Sequence, residues 1–322
     1  QTSTRALADF GCTMSSAQDC FVTFQVVPTA PFRLDLTVWA LRRGFANQLD
    51  RWDGTTYRRV IAYADLAYEL SVRQEGTPDS STLEVVVTAN QACSELRLMA
   101  TQELRRLLGL DVDLSDFYHL VAACTELAGL AQRFRGVKPP RFLDVFEALV
   151  NGILFQQVSL PAGITILNHL VEAHGSEVPG VVGHAVPLPR IVASLNLEEL
   201  RSLGISRQKG RALTELAASL CDGMRLEQVE AMTDEEAVAF LRQFRGVGRW
   251  TAQYALLRGL GRLNVFPADD VGARNKVKNW LGLEQVPDYE NMHDISLRWH
   301  PYAGMVYFHL LLNHLAEKGH VA

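Results

Sequence analysis

A chain of 322 residues, 48% hydrophobic and 21% charged, has material for two or three compact lobes with the balance of an ordinary globular protein. No run approaches the ~18 apolar residues of a membrane-spanning helix, and the opening QTSTRALADFGCTMSSAQDC lacks the apolar stretch of a secretory signal. The net charge of −5 argues against a uniformly basic nucleic-acid binder, but residues 241–280 hold eight Arg and Lys against two Asp, so basic charge is concentrated there.

Taken in order, residues 1–19 read as a tail. The stretches 21–41 and 56–70 alternate or cluster β-branched and aromatic residues, and LEVVVTA at 83–89 is the clearest strand. RQEGTPDSS lies between strands as turn material. A helix over about 91–108 would pack on this antiparallel sheet, giving an α+β lobe over 20–112. Beyond residue 110 strand signals stop. Helices are predicted in DLSDFYHLVAACTELAGLAQRF, with Asp113 or Ser115 as cap, in FLDVFEALVNGILFQQ, in the segment opened by Pro161, and in three further short stretches. The last of these starts at a capping box, Thr233-x-x-Glu236. The helices divide into a lobe of 113–144 plus 263–322 and a lobe of 145–262.

The densest signal is LRQFRGVGRWTAQYALLRGLGRLNVFPADDVGARN at 241–275. Gly246 and Gly248 permit left-handed backbone and close approach of a phosphate. With Arg245, Val247, Arg249 and Thr251 around them, their amides and the next helix N-terminus form a sequence-blind anion grip. About 18 residues on, Pro267 breaks the chain before Asp269 and Asp270. One of the pair caps the following helix and the other projects, although a double Asp used only for capping fits the sequence too. Gly272 inside that helix has no firm account, close approach of DNA being one reason for it.

LxxFxGVGxWTAxYALL followed by VFPADD resembles the helix-hairpin-helix/Gly-Pro-Asp superfamily of base-excision DNA glycosylases, within it the bacterial 3-methyladenine glycosylase II (AlkA) branch. FLDVFEALVNGILFQQVSL and RWHPYAGMVYFHLLL extend the likeness. The resemblance implies that Asp270 is the catalytic carboxylate and Asp269 the cap. It implies that Trp250, Tyr254, Tyr302 and Gln156 line the pocket, and that Gln157 wedges into the vacated stack. Leu is usual at the wedge, and Pro is usual where Arg245 stands. Trp250 occupies the position of the Schiff-base Lys of bifunctional members, so monofunctional excision is expected. A structural monovalent cation (Na or K) on the carbonyls of Arg242, Phe244 and Val247 is also implied, with no cofactor required. The five cysteines (Cys12, Cys20, Cys93, Cys124, Cys221) lack the C-x6-C-x2-C-x5-C run of an iron–sulfur cluster, and their scatter fits a reducing cytoplasm.

The implied partner is double-stranded DNA holding a damaged base, with no membrane and a monomeric protein. An alkylpurine is the expected substrate, because electron-poor bases stack well on aromatic faces. The competing readings are an 8-oxoguanine-type glycosylase of the same fold and a non-catalytic helix-hairpin-helix DNA-binding protein.

Overall fold

The structure is a computed structural model that describes residues 20–321, so the expected tail lies outside it. Five strands, β1 (Cys20–Val26), β2 (Arg51–Trp52), β3 (Thr56–Tyr63), β4 (Leu66–Thr77) and β5 (Ser80–Ala89), form one antiparallel sheet in the order β1-β5-β4-β3-β2. The clear strand signal falls inside β5, where Leu83, Val85, Val87 and Ala89 face the core at period two.

Two expectations are corrected here. Residues 34–42 form helix α1 (Leu34–Arg42) rather than strand: LDLTV alternates apolar and polar residues at period two as a strand does, but after Pro31 the segment LDLTVWALR winds into a helix buried on nearly every side. RQEG is likewise not a turn, because β4 runs through it to Thr77 and reverses at Pro78 and Asp79 into β5.

The helices follow as α2 (Leu96–Leu108), α3 (Ser115–Ala123), α4 (Thr125–Arg133), α5 (Val145–Phe155), α6 (Leu160–His174), α7 (Pro189–Ser194), α8 (Leu197–Ser202), α9 (Arg207–Cys221), α10 (Asp234–Leu241), α11 (Arg249–Ala255), α12 (Val271–Leu281), α13 (Tyr289–Leu297) and α14 (Ala303–Glu317). One predicted helix is thus two, α3 and α4, meeting at an extended Cys124. Neither suggested residue is the N-cap of α3: Leu114 holds that place, while Asp113 accepts from the amide and hydroxyl of Ser115. The capping box at Thr233 and Glu236 does open α10. No described helix is long and apolar enough to cross a membrane.

Two apolar cores organise these elements. The larger runs from the sheet through α5 to α9 and α11, and the second joins α3 and α4 to α12–α14 through Trp299 and Phe308. Helix α5 is the axle of the larger core. Its Glu147 takes Arg59 of the sheet at 2.6 Å, and Arg59 also donates to Asp50 at 2.8 Å, all three side chains buried. Removing one partner would leave an uncompensated charge, at about 3–5 kcal/mol, so this network fixes the sheet against α5. Arg258 ties the second core to α1, donating to the carbonyls of Ala40 and Leu41 at its last turn.

Candidate DNA interface and base pocket

Helix α10, the turn 242–248 and helix α11 form a helical hairpin against α9 and α5. Gly246 has φ +75°, and a Cβ there would stand 2.7 Å from the Cβ of Ala212 on α9, so glycine is required twice over. Gly248 departs from expectation. It is the extended N-cap of α11 with φ −85°, and a Cβ on it would meet nothing within 4 Å. Its contribution is open space at the start of α11. Val247 is buried beneath the turn.

The polar residues around the hairpin sort differently from the sequence reading. Thr251 is buried, its methyl fitted against Gly152 and its hydroxyl accepting from Gln156 Nε2 at 2.8 Å. Gln156 Nε2 also donates to the Gly246 carbonyl at 2.7 Å. Gln156 therefore bolts the end of α5 to the hairpin instead of lining the pocket, and Thr251 is a packing residue behind the proposed grip. Gln157 is exposed with φ +54°, at the turn from α5 into α6.

Much of the local basic charge is already partnered. Arg245 pairs with Glu215 at 2.7 Å. Arg249 pairs with Asp269 at 2.7 Å and lies over the Tyr289 ring, and the Asp269 hydrogen bond raises its pKa. Arg262 pairs with Asp234, and Arg258 is buried. The charge excess counted along the sequence is thus not a uniformly free basic face. The Phe244 carbonyl accepts from the Val247 amide at 3.1 Å.

The Asp pair is also reassigned. Asp269 does not cap, because Arg249 holds it. Asp270 is both the cap and the projecting carboxylate. One oxygen, Oδ1, accepts from the Ala273 amide at 2.8 Å and opens α12. The other, Oδ2, accepts from Tyr307 Oη at 2.9 Å and from Trp250 Nε1 at 3.3 Å. Burial, and then the Asp270 charge, push the Tyr307 phenol well above its usual range, so it stays a donor.

Asp270 lines an open cavity of about 180 Å³ with Trp250, Tyr254, Tyr307, Lys276 and Arg43, closed below by Phe155 and Leu311. Trp250 and Tyr254, four apart on α11, stack at 5.4 Å and 25°. Tyr302 is not in this group. It precedes α14 and packs edge-on against Phe117 in the second core. Tyr307, five residues further on, takes the place expected of it. The 307/311 stripe of α14 is the signal that could have found it. Arg43 was out of reach of local patterning: it sits in left-handed conformation after α1 and donates to Tyr254 Oη at 2.9 Å and to Asn151 at 2.7 Å.

Residues 150–301 match the family model described as HhH-GPD superfamily base excision DNA repair protein. Among relatives, YfjP of Bacillus subtilis, whose name carries a provisional DNA-3-methyladenine glycosylase assignment, is 32% identical over 181 residues, 55% of this chain and 62% of that protein. The DNA-3-methyladenine glycosylase of the same organism is 29% identical over 204 residues, 62% and 67% respectively. The chain thus spans about two thirds of the length of these relatives. A 3-methyladenine DNA-glycosylase structure from Archaeoglobus fulgidus superposes with TM-score 0.76 at 26% identity, covering 90% of this chain and 97% of that one.

Proposed function

We propose, from the geometry of the site and from the match of residues 150–301 to the HhH-GPD superfamily of base excision DNA repair proteins, that this chain is a monofunctional DNA glycosylase that flips out and releases alkylated purines, 3-methyladenine among them. The observation that carries the reading is the fixing of Asp270. A carboxylate used only as a cap needs one hydrogen bond, whereas Oδ2 of Asp270 is additionally held by Trp250 and Tyr307 at the edge of an aromatic cavity.

In the proposed reaction the hairpin amides near Gly246–Arg249 grip a phosphate while Gln157 fills the gap left by the extruded nucleotide. The base enters beside Trp250 and Tyr254. As the C1′–N bond breaks, its electron pair leaves on the base and positive charge grows on the deoxyribose. The Asp270 carboxylate offsets that charge in a partly dry site, and water then adds to C1′ and gives up a proton to solvent, leaving the hydroxyl of the abasic sugar. An indole cannot form an imine with the sugar, so Trp250 supports release of the base with the strand left intact. The carbonyls of Arg242, Phe244 and Val247 would hold a monovalent cation, since neutral oxygens with a spare lone pair suit such an ion. It would neutralise phosphate charge near the turn.

The test is incubation with methylated duplex DNA and chromatography of the freed bases. Release of 3-methyladenine with no strand cleavage is the expected result. DNA binding without any base release would leave only the clamp reading, and release of 8-oxoguanine from oxidised DNA instead would point to the oxidised-purine branch.

A further inference from the structure

Beyond the carboxylate, the cavity carries a feature that aromatic selection of cationic bases does not explain. Three of its lining side chains are cations, Arg43, Arg258 and Lys276, against one anion, Asp270. The two guanidiniums are committed to protein groups: Arg43 to Tyr254 and Asn151, Arg258 to the carbonyls of Ala40 and Leu41. Lys276 is different. Among the described residues its ammonium has one acceptor, the Gly272 carbonyl of its own helix at 3.2 Å, and an ammonium has three donors.

Gly272 explains how it reaches the site. A Cβ at that position would stand 3.2 Å from Asp270 Oδ1 and 3.4 Å from Lys276 Nζ. The absent side chain therefore leaves the carboxylate and the ammonium bordering the same small space at the start of α12. Burial lowers the Lys276 pKa, while Asp270 works to raise it and Lys318 to lower it further. A positively charged base entering here meets a cation it must tolerate. A neutral purine with acceptor atoms on its edge meets a hydrogen-bond donor instead.

We propose that Lys276 widens the charge class of base this site releases, admitting neutral damaged purines with acceptor edges alongside cationic ones. This rests on the glycosylase reading above. When the C1′–N bond breaks, its electron pair moves onto the base. A cationic base leaves neutral and needs no help, but a neutral base leaves as an anion. The Lys276 ammonium, hydrogen-bonded to an edge nitrogen or oxygen, stabilises that charge as it develops.

The experiment measures single-turnover release from two duplexes of one sequence, one carrying hypoxanthine as the neutral probe and the other 7-methylguanine as the cationic probe. Wild type releases both. In Lys276→Met, hypoxanthine release falls by about 10²-fold or more, the scale of losing one well-placed donor, while 7-methylguanine release holds or rises. Lys276→Arg, which keeps the charge, retains most of the hypoxanthine release. Thermal unfolding of each variant is the control for folding. Equal losses on both substrates, an unchanged ratio, or a wild type that releases 7-methylguanine but no hypoxanthine would each overturn the proposal. A wild type that binds both duplexes and releases neither base would instead overturn the glycosylase reading itself.

Discussion

Replacing Asp270 by Asn isolates the charge of the carboxylate from its structural work. Asn and Asp are comparable N-caps, so the amide oxygen can still accept from Ala273 and start α12. The amide nitrogen then faces two donors. Tyr307 can turn its hydroxyl to accept, but the Trp250 N–H cannot, so one hydrogen bond is lost at about 1 kcal/mol. For a chain of this size that lowers Tm by roughly 1–2 °C. Base release should fall far more, by about 10²–10³-fold or about 2.7–4 kcal/mol of transition-state stabilisation, the scale measured when a single preorganised electrostatic group is removed. Asp270→Ala is the poorer choice, because it also costs about 0.5–2 kcal/mol of cap and strands both donors. The assay is single-turnover base release from methylated duplex, alongside duplex affinity and thermal unfolding. Release by Asp270→Asn at the wild-type rate would refute the assignment, and an equal loss of affinity would recast the residue as a DNA-binding one.

Three further outcomes follow from the geometry. Tyr307→Phe should slow base release by about tenfold, the low end for losing one hydrogen bond to a charged group, whereas Tyr302→Phe should leave it unchanged, and the reverse pattern would restore the sequence-based assignment of the pocket wall. Gln157→Ala should weaken extrusion, seen as a smaller fluorescence rise from 2-aminopurine beside the lesion; an undiminished signal would acquit the residue. Burial, against a smaller opposing effect of the Met305 carbonyl, lowers the His309 pKa from 6.5 to about 4. The unfolded chain therefore binds this proton below about pH 6.5 while the folded one does not until about pH 4. Stability is complete above the upper value and falls through that window by on the order of 3 kcal/mol. His309→Gln should flatten the denaturation-midpoint slope between pH 6.5 and 4, and equal slopes in both proteins would contradict this origin.

What the sequence revealed depended on whether a local rule governed the residue. Period two marked β5, a capping box marked the start of α10, and four-residue spacing put Trp250 and Tyr254 on one face, all of which the fold keeps. The failures came where a distant partner decides. LDLTV alternates apolar and polar residues and so reads as strand, although elements distant in sequence pack the segment as a helix on nearly every side. Asp269 and Asp270 are locally indistinguishable until Arg249, twenty residues away, claims the first. Gln156 faces the hairpin because Gly246 and Thr251 offer it two acceptors, which its own neighbours do not disclose. Arg43 reaches the pocket from the sheet lobe, 211 residues from Tyr254, and no motif spans that distance.

The central claim concerns one anion beneath a sugar that becomes cationic, and a bound mimic of that sugar examines it most directly. Duplex affinity can be compared for an uncharged tetrahydrofuran abasic site and for a protonated pyrrolidine in its place. Wild type should prefer the cationic ring by about 10²-fold or more, and Asp270→Asn should bind both rings alike, as expected for complementarity to the transition state. A wild type indifferent to the ring charge, or a preference that survives in Asp270→Asn, would contradict the account.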